Sequence, residues 1–427
     1  MRELTSKTMT VFAGQMAIPD SVVPGRSTDV LASISGAPRL SITVHNDMKA
    51  VERVWRQLEA DPWNSMHQAF NWCYAWVQTH DSPVAIVEGK IDGVPAFILP
   101  LEIESHAMVR TAQFIGSAFT NYNSGLFTAD FRRQARHLPM STLSHQLAQA
   151  LTGRADLVRL THVPLDWRDE RHPFSDFNSV RNPNSAFQVR LGTDMEATIA
   201  PLNAKARRKK FRSQVRKMDA VGGFEHVRAT SPGDKTALLD TFFRQKAARF
   251  AAQGLPNVFQ AAETQAFFHM ALEMDRGGND VPLEMHALRL KGEHSGKIAA
   301  IAGLSRKGDH VICQFGSIDD TFMPEASPGE LLFWLMIERA ALTGAAVFDF
   351  GIGDQDYKRR WCRNPTEHHD LMIAITPVGR LAEWLFKGMT RAKAGIKNNA
   401  TLYSTLQRIR ALGSKNPAAV VPISDEQ

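Results

Sequence analysis

Asp354, Tyr357 and Lys358 set a carboxylate, a phenol and an amine within one helical turn. Groups of these types can hold, give or take a proton at a reacting centre. The stretch that carries them runs Phe348-Asp349-Phe350-Gly351-Ile352-Gly353-Asp354-Gln355-Asp356-Tyr357-Lys358-Arg359-Arg360-Trp361. It reads as a buried strand, a loop that Gly351 and Gly353 free from Cβ clashes, and a basic, aromatic helix start. Ligands of α/β sheets gather outside the carboxyl ends of strands, so the trio sits where chemistry is expected. A plainer reading stays open. Asp354 could cap the helix, Tyr357 and Trp361 could pack as its inner face, and Lys358, Arg359 and Arg360 could be solvated.

Other sites are weaker. Lys205, Arg207, Arg208, Lys209, Lys210, Arg212, Arg216 and Lys217 form a run with no acid. It follows Asn203, a suitable N-cap, and predicts a helix with Phe211 and Val215 on one side. Its like charges repel unless an anion faces them. The alternatives are a nucleotide phosphate, an anionic glycan, a membrane surface, RNA, or plain solvent. Asn121, Tyr122 and Asn123 follow Gly116-Ser117 at a strand end; they could line an acceptor cleft or form a polar turn. Glu367-His368-His369-Asp370 looks like a metal cluster, but neighbouring side chains point apart and no second cluster completes a zinc site, so no metal is expected. Residues 292–297 mimic a phosphate loop but lack its Ser or Thr. His286, mid-strand, is a base or a core residue; no general base can be named.

The elements that position these groups come in two similar blocks. Val84–Val87 predicts a strand, 88–93 a turn, Val94–Leu101 a returning strand, and a further strand ends at Phe114-Ile115-Gly116-Ser117. His286–Leu290 predicts a strand, 291–297 a turn, Ile298–Leu304 a return, and a further strand ends at Gln314-Phe315-Gly316-Ser317. Helical stretches precede each block, at 51–59 and 70–78, then at 236–252 and 262–274. The recurrence predicts a duplicated α/β unit. After the second block, Ser327 is placed as N-cap and Pro328 at the first helical position of an apolar helix over 331–342. The strand over 345–350 follows, so strand, helix and strand form a crossover.

Composition sets the frame. The chain has 427 residues, 44% of them apolar, and a net charge of +6. That length predicts more than one domain, and mild basicity permits an anionic partner without choosing one. Three scattered cysteines argue against a disulfide framework and suit a reducing cytosol, so a cytoplasmic protein is expected. No transmembrane segment or signal peptide is expected: Glu338 and Arg339 break the longest apolar stretch, and the N-terminal patch is short.

Taken in order, these motifs resemble those of the GNAT acyltransferases, and specifically their CelD-like members associated with cellulose and exopolysaccharide synthesis. The carrying residues are 348–351, Asp354 and 357–361, with Ser327-Pro328-Gly329, Gly316, the basic helix, Gly116-Ser117 and Tyr122-Asn123. The resemblance spans about residues 50–385. It implies an α/β (α+β) fold of tandem GNAT-like lobes, each a mixed, mostly antiparallel sheet flanked by helices. The boundaries expected are a disordered lead-in over 1–38, a first lobe over 39–190, a catalytic lobe over 191–385, and a helical then loose tail over 386–427.

The resemblance also implies acetyl-CoA or another acyl-CoA as donor, with pantetheine on the open edge of a splayed strand. Gly316 and Ser317 would line that strand. Ser327, Pro328 and Gly329 would seat the pyrophosphate at a helix N-terminus. The usual phosphate loop is reduced here to Gly329, with Glu325 and Glu330 beside it. Tyr357 would protonate the leaving thiolate, with Asp354 and Lys358 as further catalytic candidates beside it, and Lys358, Arg359 and Arg360 could hold a phosphate or an acidic acceptor. Asn121, Tyr122, Asn123, Arg208 and Trp361 would meet a small-molecule or glycan acceptor, and the 205–217 helix an anionic surface. Two rivals remain: a Fem-type transferase that draws on aminoacyl-tRNA, and a non-catalytic binding module of a polysaccharide synthesis complex.

Overall fold

A computed structural model describes residues 39–397 apart from 136–137, 275–277, 279 and 363. The expected lead-in, and the tail beyond 397, lie outside the described residues. The first strands are β1 (Leu40–His45), β2 (Val84–Ile91), β3 (Val94–His106), β4 (Val109–Phe114), β5 (Leu126–Phe127), β6 (Leu157–Val163), β7 (Asp166–Trp167), β8 (Glu170–Arg171) and β9 (Ser179–Arg181). Then come β10 (Ala186–Arg190), β11 (Phe224–Arg228), β12 (Val281–Leu290), β13 (Ile298–Lys307), β14 (His310–Ile318), β15 (Val347–Ile352) and β16 (His369–Ala374). The helices are α1 (Glu52–Glu59), α2 (Phe70–Thr79), α3 (Ala129–Gln134), α4 (Met140–Ala150), α5 (Met195–Ile199), α6 (Ala204–Asp219), α7 (Pro232–Gln253), α8 (Ala262–Glu273), α9 (Pro328–Leu342), α10 (Asp356–Trp361) and α11 (Pro377–Lys397).

Two mixed sheets result. One runs β1-β2-β3-β4-β6-β16-β9, with β5 paired to β3; the other runs β10-β15-β14-β13-β12-β11. Each holds antiparallel hairpins and one parallel junction, β4 with β6 and β14 with β15. A helix crosses over at each junction, α4 in the first and α9 in the second. The duplication expected from the hairpins is thus present in the topology. One detail differs. β2 continues through Gly89 to Ile91, because the Phe97 ring fills the space that a Cβ on Gly89 would occupy, at 2.1 Å; the turn is Asp92-Gly93.

The lobes exchange strands across the boundary expected at 190. β10 leaves the first lobe to pair with β15, and β16 leaves the second to pair with β6 and β9. The boundary expected at 386 falls inside α11. The cores are shared in the same way. One apolar cluster joins α1 and α2 with α7 and α8, and takes Ile86 and Ile98 from the first sheet and Met285, Ile301 and Phe315 from the second. The opposite face of the second sheet packs α5, α6 and α9 around Ala300, Ala302, Cys313 and Phe350. Burial of this kind stabilises at about 25 cal/mol per Å² of apolar surface, so the shared helical layer fixes one lobe against the other.

Candidate active site

β14 and β15 pair over only three residues: His310 with Val347, Val311 with Phe348 and Ile312 with Asp349. Beyond them β14 runs on to Ile318 and β15 to Ile352 without pairing to each other. A bulge between Cys313 and Phe315 turns β14 away. The gap is a cavity of about 490 Å³. Lys246 and Arg249 of α7 line it from one face of the sheet, and Leu332, Phe333 and Met336 of α9 from the other. It is therefore a slot through the sheet, lined by a helix on each face.

Gly316, Ser317, Ser327, Pro328, Gly329 and Tyr357 all line this slot. The residues that the resemblance assigned to the donor and to Tyr357's role thus share one cavity. Ser327 stands at the N-cap position of α9 but makes no side-chain cap bond; its φ of 51° is left-handed, a strained state for a residue with a Cβ. Gly329 is needed for close approach, since a Cβ there would lie 2.8 Å from Ile318 Cγ2. Tyr357 stacks on Phe333 with ring centroids 5.2 Å apart. Burial raises its phenol above the ordinary tyrosine value, so it stays protonated at neutral pH.

The basic helix adjoins the same mouth. The Asn203 side chain caps α6 by accepting from Ala206 N–H at 3.3 Å. Lys210 Nζ reaches Glu330 Oε2 at 2.5 Å, and Arg360 reaches Oε1 at 3.3 Å. Gln214 donates to Ser327 O at 3.2 Å, and Lys217 donates to Glu325 O at 2.5 Å. The acid that weakened the phosphate site in sequence is thus held by two cations. Their charge and the α9 N-terminus favour an anion together.

Several expected site residues lie elsewhere. Asp354 accepts from Nε and Nη2 of Arg359, at 2.5 Å each, outside the slot and without capping the helix. Lys358 is fully buried and donates to Gly351 O at 3.3 Å and Ile352 O at 2.6 Å. Burial lowers its pKa to about 8, and its amine ties down the end of β15 rather than facing a substrate. Trp361 is core, with the Arg207 guanidinium 4.0 Å above its ring. Arg208 pairs with Glu196 on the surface.

Asn121, Tyr122 and Asn123 are buried between the lobes rather than lining an acceptor cleft. Asn121 accepts from Ile352 N–H at 3.3 Å and donates to Gln314 Oε1 at 3.3 Å. Gly351 leaves room for it, since a Cβ there would lie 2.9 Å from Asn121 Oδ1. Asn123 donates to Thr161 O, and the Tyr122 ring packs on Trp167. His286 faces Glu284 and His226, each at 2.9 Å, away from the slot. Glu367 pairs with Arg181. Among the described residues no group of three or more His, Cys, Asp or Glu could hold a metal ion.

What sequence missed is the other end of the slot. Lys246 and Arg249 come from a helix about seventy residues upstream, in a stretch with no motif. Gln314 links to His67 of the first lobe, whose Nε2 lies 3.0 Å from its amide oxygen.

Residues 205–359 match the family model of the acetyltransferase (GNAT) domain. No curated protein matches the sequence. Among solved structures, the chain is similar to FemX, with a TM-score of 0.55 at 13% identity over 77% of this chain and 97% of that one. It is also similar to L-PGS from Bacillus licheniformis (TM-score 0.48, 10% identity, 83% and 99% covered). A third is a tandem GNAT protein from the clavulanic acid biosynthesis pathway (TM-score 0.42, 12% identity, 79% of this chain and 99% of that one covered). The molecule has a GNAT-type acyltransferase fold in tandem form.

Proposed function

We propose that the second lobe transfers an acyl group, acetyl in the simplest case, from an acyl-CoA to an amine or hydroxyl of a sugar or polysaccharide precursor. The observation that carries this is the slot between β14 and β15, where the two strands stop pairing and residues from both faces of the sheet line the gap. Pantetheine would add to the unpaired edge of β14 at Gly316 and Ser317. Ser327 to Gly329, with Lys210 and Arg360 beside them, would receive the pyrophosphate. The acceptor would enter from the α7 side, past Lys246 and Arg249. Its nitrogen or oxygen attacks the thioester carbon, the C–S bond breaks, and the thiolate takes the Tyr357 proton. The acceptor's own proton leaves to water or an unassigned base. The sugar acceptor, the cellulose or exopolysaccharide role and a cytoplasmic site rest on the sequence resemblance.

Calorimetric titration with acetyl-CoA and with desulfo-CoA tests this. Saturable heat from both is expected. No heat from either would leave a binding module with a decayed donor site. A second reading, aminoacyl-tRNA as donor, draws support from the likeness to FemX and the basic α6. Activity abolished by ribonuclease would favour it.

A further inference from the structure

The slot does not account for the outer face of α11. Its inner arc is well seated. Ala382 and Phe386 pack with Leu157, Val180 and Met372, and a Cβ on Gly379 would lie 1.6 Å from Asp156 O. Arg159 lies over the Phe386 ring at 4.6 Å. The helix is therefore fixed in rotation, and its other arc must face outward. That arc is apolar. Val378 is 50% exposed, Leu381 59%, Trp384 70%, Leu385 47% and Met389 51%. Positions 378, 381, 385 and 389, with 384, share one helical stripe.

The stripe has a cationic border. Arg380 and Arg391 lie along its Trp384 side, and Lys393 lies along its Met389 side. All three are exposed and form no ion pair among the described residues. The helix carries five basic residues and one acid, Glu383. That acid is turned inward, bonded to Lys387 at 2.7 Å and to Asn178. No helix among the described residues is long and apolar enough to cross a membrane.

We propose that the outer face of α11 docks on an anionic lipid surface. A helix with tryptophan and leucine on one arc and lysine and arginine at its edges lies in the interface plane, its apolar arc among the acyl chains and its cations at the phosphates. A second copy of the chain fits this face less well. Two-fold pairing would set one cationic border against the other, with no acid between them.

Co-sedimentation of the full chain with lipid vesicles decides this. Vesicles of phosphatidylcholine with phosphatidylglycerol should bind it at low salt. Phosphatidylcholine alone should bind about tenfold less or weaker, since each border cation loses its anionic partner. The variant Leu381→Asp/Trp384→Asp should lose binding while melting as the parent does, because neither side chain is buried. Arg380→Glu/Arg391→Glu should lose the preference for anionic vesicles. Binding unchanged in the Leu381→Asp/Trp384→Asp variant, or absent from anionic vesicles, would overturn the proposal. A dimer that this variant splits, with no vesicle binding, would instead identify a second copy as the occupant.

Discussion

Tyr357 is the residue on which catalysis and packing can be told apart. Its ring stacks on Phe333 and the residue lines the slot. Removing the hydroxyl leaves the stack. Tyr357→Phe should therefore keep acyl-CoA affinity and lower kcat by about 10²–10⁴-fold, the usual share of one positioned acid; unchanged turnover would remove the acid role. Gly351 makes the opposite case, of structure without chemistry. Its φ is +74° and Asn121 occupies its Cβ space. Gly351→Ala should cost about 1–3 kcal/mol through left-handed strain, read as a lower urea midpoint. The residue types of the site were legible in sequence; their directions were not. Tyr357 and Lys358 are adjacent, so they leave the helix about 100° apart. One meets the slot and the other turns to the β15 carbonyls. Asp354 precedes the helix altogether and finds Arg359.

At the scale of elements, α6 shows what a charge run can and cannot reveal. Its start, its cap at Asn203 and its length follow from local sequence. Its partner does not, because Glu330 lies 120 residues downstream. Only the fold brings Lys210 to the first turn of α9. Lys210→Ala should leave Glu330 facing the donor phosphates with Arg360 alone. We expect KM for acyl-CoA to rise about fivefold, on the order of 1 kcal/mol for one partly exposed charge contact, with kcat unchanged. The effect should shrink as salt is added. A KM that does not move would separate α6 from the donor site. The splay itself was foreseen only through the family resemblance. Local pattern gives strands and turns, but a bulge at Cys313 to Phe315 depends on Gly303 leaving room for the Phe315 ring.

For the whole molecule, hairpins and crossovers were legible because they are local, whereas the exchange of β10 and β16 between sheets was not. Each is a short strand that pairs with a partner far along the chain. Titratable groups are sealed inside this fold, one of them between the lobes, and they set the response to acid. His67 faces Gln314 across the lobes. Burial lowers its pKa to about 4, lowers that of His172 to about 4, and lowers that of His368 to about 3. A histidine depressed in the folded state binds fewer protons there than unfolded. Its contribution is complete above the unfolded value near 6.5 and is lost as pH falls toward the folded value. At pH 5 each of the three would have given up on the order of 2 kcal/mol. Glu102 acts in the other direction. Buried beneath Trp76 and Gly116, it is raised to about 7, and on acidification it returns on the order of 3 kcal/mol. The histidines outweigh it, so the urea midpoint should fall between pH 7.5 and pH 5. His67→Gln, which keeps a polar group toward Gln314 but cannot gain a charge, should remove on the order of 2 kcal/mol of that fall, more than half of the net change. A midpoint that holds steady across the interval would mean that the folded state does not hold these histidines neutral, and that their burial does not couple folding to pH.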